Sequence, residues 1–146
     1  MTEAGSKVTD SPTSWVADHI SRYEATGGED GHLWNGVPTL LLTTVGRRSG
    51  LRRRTGLIYG RDGDAYVVVA SQGGAPEHPQ WYHNLLAQPE AEIQVKADKI
   101  AVRARTANPE EKSRLWSVMT AIWPAYDEYQ QKTDRDIPVV LLEPLP

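Results

Sequence analysis

The chain of 146 residues contains no cysteine. That absence removes disulfides, thiolate nucleophiles and thiolate metal sites together, so any redox chemistry must come from a bound cofactor. No apolar run approaches the roughly 18 to 20 residues that a membrane helix needs. The first residues also lack the basic-then-apolar pattern of a secretory leader, so a cytoplasmic address is expected. The four histidines, at 19, 32, 78 and 83, are not spaced as metal ligands, and no metal is expected. Excess positive charge is missing as well. A net charge of −3 and an isoelectric point near 5.8 argue against a general nucleic-acid binder.

What is present fits one soluble core. Hydrophobic residues make up 39% of the chain and charged residues 24%, an ordinary globular balance, with a mean hydropathy of −0.51. Residues 1–13 are small and polar and read as a disordered lead-in, with a single domain over 14–146. From Ser14, the residues Trp15, Val16, His19, Ile20 and Tyr23 follow the spacing of an amphipathic helix. The segment 39–45 reads as a buried strand. Residues 57–59 and 65–70 read as a hairpin around Asp62-Gly63, and 91–97 with 99–106 as a second hairpin around Asp98. Pro79 opens a short helix that stops before Pro89. Asn108-Pro-Glu-Glu111 opens another, which ends at Trp123-Pro124, and 137–142 closes the chain as a strand. About six strands joined mostly by hairpins, with three or four short helices, predict an α+β fold that is mainly β, with helices filling the gaps of an antiparallel barrel.

Charge is unevenly placed. Five of the 16 basic residues, Arg47, Arg48, Arg52, Arg53 and Arg54, fall within residues 47–54, in a turn that also carries Gly46, Ser49 and Gly50. Guanidinium forks, a hydroxyl and backbone N–H groups suit phosphate or carboxylate, each charge-assisted hydrogen bond adding about 1.5 to 3 kcal/mol before association costs. A solvated basic turn is the competing reading. Ala70-Ser-Gln-Gly-Gly74 follows a strand, and its glycines either admit a flat ligand against the backbone or form a plain loop. Trp81, Tyr82 and Asn84 share a short helix, with Asn84 able to bond a carbonyl or ring nitrogen; core packing accounts for the aromatics equally well. Trp123, Tyr126 and Tyr129 would share one helical face, lining a pocket for a flat acceptor or filling the core. The remaining histidines and the Asp134-Arg135-Asp136 cluster read as surface charge. Glu110 and Glu111 complement a helix dipole.

The order of these segments is more specific than any one of them. LLTTVGRRSG, RDGDAYVVVASQGG, HPQWYHNLLAQPE and WPAYDEYQQKTDRDIPVVLLEP resemble the deazaflavin-dependent nitroreductase family of actinobacteria, a likeness that covers about residues 38–144. The resemblance implies a split β-barrel related to the FMN-binding split barrels. It also implies coenzyme F(420), an 8-hydroxy-5-deazaflavin with a phosphate and an oligoglutamate tail. By the same resemblance, Arg47, Arg48, Ser49, Gly50 and Arg53 receive the phosphate and carboxylates. The ring lies near Leu57, Ala70 and Ser71, with Trp81 and Asn84 close by, and Gln72 belongs to the coenzyme site on the side of the tail. Trp123, Tyr126 and Tyr129 line the acceptor side, and Tyr126, Tyr129 and Ser71 stand nearest the chemistry. Two departures matter: Gly56 stands where the family usually has proline, and Gln72 where a basic residue is common.

The implied activity is hydride transfer from the reduced coenzyme to a small, flat acceptor: a quinone, a nitroaromatic or an activated alkene. Trp15 would touch the acceptor, and Trp15 with Tyr23 would meet, weakly, the inner face of a membrane, since Asp18 and Glu24 make that helix a poor anchor. Alternatives are an FMN enzyme of the same fold, a non-catalytic deazaflavin carrier, and a cofactor-free domain whose arginine turn meets a protein partner. Monomer and homodimer both remain open.

Overall fold

The computed structural model describes residues 8–10, 23, 26, 33, 34 and 37–146. Among the described residues, nine strands, β1 (Val8–Asp10), β2 (Leu33–Trp34), β3 (Val37–Val45), β4 (Arg52–Ile58), β5 (Gly60–Asp62), β6 (Ala65–Val69), β7 (Glu90–Val95), β8 (Asp98–Thr106) and β9 (Val139–Pro144), make one curled sheet. Its order is β1-β4-β3-β7-β8-β9-β6-β5, with β2 paired to β3. Three helices lie wholly within the described residues: α1 (Gln80–Ala87), α2 (Pro109–Ile122) and α3 (Ala125–Gln131). Every described pairing is antiparallel except β1 with β4. Tyr59 alone separates β4, near one end of the strand order, from β5, at the other, and its N–H is fixed to Pro38 O at 3.2 Å. This one-residue joint brings the two sides of the sheet round into a split barrel.

Both expected turns form: Gly63, at φ +60, turns β5 into β6, and Lys96, at φ +56, turns β7 into β8. The first hairpin has a different first strand than expected, because residues 60–62 pair with β6 while Leu57 and Ile58 belong to β4 and pair with Leu40 and Thr39. Three more expectations need correction. The arginine run is not all turn: Arg52, Arg53 and Arg54 belong to β4 and pair with Val45, Thr44 and Thr43. The 1–13 lead-in is not wholly without structure, because Val8–Asp10 lies alongside those same arginines. The strand count of about six becomes nine among the described residues, the additions β1, β2 and β5 each being three residues or shorter. Trp15 and most of the expected first helix lie outside the described residues; Tyr23 is helical and fully buried against Leu41.

β6 and β9 explain the continuous apolar runs. They pair side by side, and each buries both faces. Tyr66, Val68, Val140 and Leu142 point into a barrel core with Leu40, Leu42, Ile93 and Val102. The alternate residues Val67, Val69, Val139 and Leu141 enter a second core with Leu115 and Met119 of α2 and Tyr126 of α3.

A full capping box starts α2. Asn108 Oδ1 accepts from Glu111 N at 2.9 Å, and Glu111 Oε1 accepts from Asn108 N at 3.1 Å. Arg105 also grips the Glu111 carboxylate through two bonds of 2.7 Å, and this pair, ahead of the capping bond, holds the Glu111 carboxyl down at about 2. Asn108→Ala leaves the Arg105 pair in place and is expected to cost about 1 kcal/mol, or about 3 °C in the thermal unfolding midpoint. A midpoint equal to wild type by calorimetry would show the cap to be idle.

Candidate coenzyme site

The arginine turn is tight. Gly46 N donates to Leu51 O at 2.7 Å, Gly50 N to Gly46 O at 2.8 Å, and the Ser49 hydroxyl accepts from Leu51 N at 3.1 Å. Gly50 sits at φ +71, where a side chain would be strained. Arg47 is tied back to α1: its N–H donates to Asn84 Oδ1 at 3.1 Å, and its Nη1 to Gln80 Oε1 at 2.8 Å and Asn84 Oδ1 at 3.2 Å. Neutral amides therefore hold Arg47 and leave its charge uncompensated. Arg48 and Arg53 are exposed and make no ion pair or hydrogen bond among the described residues. Strand alternation divides the rest of the run. Arg52 and Arg54 line a hollow on the outer face with Glu92, Arg52 lying 3.7 Å from that carboxylate. Arg53 falls on the opposite face, in line with Leu57, which packs against the barrel core.

Asn84 differs from its expected part. It is buried, its Oδ1 takes Arg47, and its Nδ2 donates to Thr44 Oγ1 at 3.2 Å. Its amide is used inside the protein, joining α1 to the turn, and Gln80, which sequence reasoning passed over, shares that work. Trp81 is half-buried at the edge of the barrel core, edge-on to Tyr82.

Beyond β6 the chain makes the glycine turn. Ala70 is buried in the barrel core, and a 3-10 turn covers Gln72–Gly74. Gln72 at φ +46, Gly73 at +63 and Gly74 at +83 are all left-handed; for Gln72 that costs about 1 to 3 kcal/mol, the kind of local strain that collects at ligand sites. Ser71 is 8% exposed, and its hydroxyl makes no hydrogen bond among the described residues. The back of the turn rests on α3: a Cβ on Gly74 would come within 2.6 Å of Tyr129 O.

The aromatic trio separates. Tyr126 is 5% exposed and belongs to the second core, against Trp116 and Tyr129. Burial, with Tyr129 adding to it, pushes its phenol well above the usual range. Trp123 lies at the break between α2 and α3, where Pro124 lets the indole N–H donate to the Tyr129 hydroxyl at 3.4 Å. Trp123 and Tyr129 are both half-buried and line a common surface; Tyr126 lies behind them.

Arg135 was read as surface charge, and the structure corrects this. Its Nε donates to Ala75 O at 2.8 Å, its Nη2 to Ser71 O at 2.6 Å, and its Nη1 to Ala70 O at 3.2 Å and His78 Nδ1 at 3.0 Å. His78, also read as bland, thus accepts on Nδ1 and carries its proton on Nε2. Burial first, then the charges of Arg135 and His83, lower its pKa, keeping it neutral at pH 7. No local pattern announced this pairing, because the partners lie 57 to 65 residues apart.

A split barrel with exposed arginines and a strained glycine turn has the chemistry to receive an anionic, flat ligand. The model of the F(420)H(2)-dependent quinone reductase family matches residues 15–144. An F(420)H(2)-dependent quinone reductase of Mycobacterium tuberculosis is 44% identical over 128 residues, covering 85% of this chain and 86% of the relative. Among solved structures, an F(420)-H2 dependent reductase, FDR-A, is 39% identical with a TM-score of 0.67, covering 73% of this chain and 94% of that one. A domain-swapped dimer is 36% identical with a TM-score of 0.71, covering 91% and 100%. The chain belongs to the F(420)H(2)-dependent quinone reductase family. It is an oxidoreductase whose coenzyme is F(420). No helix among the described residues is long and apolar enough to cross a membrane.

The residues fit that coenzyme. Arg47, Arg48 and Arg53 present positive charge with no carboxylate partner among the described residues, the donor set that phosphate and glutamate carboxylates require.

Proposed function

We propose that this chain reduces quinones, with Arg47, Arg48 and Arg53 holding the anionic part of the coenzyme, the Ser71–Gly74 turn meeting its ring, and Trp123 and Tyr129 forming the acceptor wall. The observation that carries the reading is the set of uncompensated arginines at the end of a barrel lined by Leu57 and Ala70. Bound in its reduced form, F(420) supplies a hydride without one-electron chemistry. The protein contributes position, exclusion of water and stabilisation of the charge that develops on the acceptor. Leu57 and Trp81, both half-buried, supply apolar surface that excludes water.

Of the two phenols, Tyr129 is the better donor to a reduced quinone oxygen. Its hydroxyl accepts from Trp123, which leaves its own O–H free to donate, whereas Tyr126 is packed in the second core. Tyr129→Phe is expected to lower kcat with a soluble quinone about tenfold with coenzyme affinity unchanged, and Tyr126→Phe to change kcat little. Steady-state kinetics of the two variants would overturn this assignment if Tyr126→Phe were the slower enzyme.

The test of the reading itself is a fluorescence titration of the purified chain with F(420) and with FMN, followed by turnover of the reduced coenzyme with a quinone. Selective F(420) binding with quinone-dependent oxidation supports it. Selective FMN binding would favour a flavin enzyme of the same fold, and binding without oxidation by any acceptor would favour a carrier. Sedimentation of the same sample separates monomer from the homodimer that the domain-swapped relative suggests.

A further inference from the structure

We infer that Arg135 is the positioning residue of the coenzyme turn, acting through the backbone of residues 70–75 and through His78; the inference rests on F(420) binding at that turn. One guanidinium gathers four acceptors, Ala70 O, Ser71 O, Ala75 O and His78 Nδ1, all from the single connection between β6 and α1. Three of them are backbone carbonyls, and drawing them to one side decides how the turn presents its other groups. The N–H groups of Ser71, Gln72 and Gly73 make no hydrogen bond among the described residues, and neither does the Ser71 hydroxyl. These are the groups left for a ligand, and successive free N–H groups form a concavity suited to oxygen or anionic atoms.

Arg135 is itself held before any ligand arrives. Its N–H donates to Thr133 Oγ1 at 3.3 Å, and Gln130 of α3 brackets it, donating to Arg135 O at 2.8 Å and accepting from Ile137 N at 3.0 Å. Its flanking aspartates do not neutralise it: Asp136 pairs with Lys112, and Asp134 is exposed. The guanidinium therefore keeps its charge behind the turn, linking the turn to α3 and the acceptor wall. A surface arginine has no need of this arrangement, and left-handed Gln72 needs an external hold of this kind to persist.

Arg135→Met and Arg135→Lys, made in the full chain, test the idea. The first readout is amide exchange of residues 70–75 without coenzyme, and the second is the dissociation constant of F(420) by fluorescence. Arg135→Met is expected to exchange faster in that segment alone and to bind F(420) about tenfold more weakly, with acceptor KM within about twofold of wild type. Lysine, which reaches fewer acceptors, falls between. Millimolar guanidinium restores binding to Arg135→Met, and sodium chloride at the same concentration does not. A folded Arg135→Met chain with wild-type exchange and wild-type affinity overturns the inference. If that variant does not fold, His78→Leu removes one acceptor only: about threefold weaker F(420) binding with faster exchange near residue 78 supports the inference, and wild-type values overturn it. A wild-type chain that does not bind F(420) is a different failure, of the coenzyme reading itself.

Discussion

Replacing Arg48 and Arg53 together by alanine is expected to weaken F(420) binding about a hundredfold with the thermal midpoint unchanged. A charge-assisted hydrogen bond contributes about 1.5 to 3 kcal/mol, and solvent screening at an exposed turn brings each nearer 1.4, about a factor of ten apiece. Stability is spared because neither guanidinium makes an ion pair or hydrogen bond among the described residues, and removing two of several neighbouring like charges relieves repulsion. Arg47 behaves differently: its loss also cuts the bonds to Gln80 and Asn84 that dock the turn on α1, so affinity and midpoint fall together. Titrations at low and high salt complete the test, because a deficit of electrostatic origin shrinks as ionic strength rises. Equal affinity of the double variant and wild type at low salt would refute the anion-site assignment.

Gly74→Ala is expected to be the most damaging single methyl group in the site. At φ +83 a side chain is strained, and the new Cβ would stand 2.6 Å from Tyr129 O and 3.0 Å from Tyr129 Cα, both backbone atoms that rotamer changes cannot move. Strain and displacement of α3 together cost about 2 to 4 kcal/mol, which lowers the midpoint by roughly 6 to 12 °C. Gly73→Ala is the control. It has a similar φ of +63 but open space around it, so only the conformational cost remains, about 1 kcal/mol. Because Gly74 separates the coenzyme turn from the acceptor helix, Gly74→Ala should raise both the F(420) dissociation constant and the quinone KM. Matching midpoints for the two variants would mean that the turn and α3 are not in contact in solution.

How much of this could be read beforehand depended on the range of the interaction. The runs at 65–70 and 137–142 were recognisable as strands because burial on both faces leaves an unbroken apolar signature, and Gly63 marked its hairpin. β4 was missed at its start because Arg52, Arg53 and Arg54 carry no apolar alternation; their pairing is imposed by β3, whose own sequence is plain. The anion turn was legible because charge concentrated in a short segment of an acidic chain needs no tertiary knowledge. Arg135 was not, since its flanking aspartates suggest solvent and its partners arrive from a distant loop. Tyr126 and Tyr129, three residues apart, looked equivalent; Pro124 and the second core, which sequence spacing does not resolve, separate their environments.

β9 has a consequence for biogenesis. It is the last strand in chain order, yet it lies between β8 and β6 in the middle of the sheet and contributes to both cores. Until residues 139–144 have emerged from the ribosome, β6 and β8 each present an unsatisfied edge, β6 with apolar side chains on both faces, and neither core can close. Acquisition of the native state therefore awaits synthesis of these residues and is slowed by the long-range pairing that completes it, and until then the nascent chain depends on protection from aggregation.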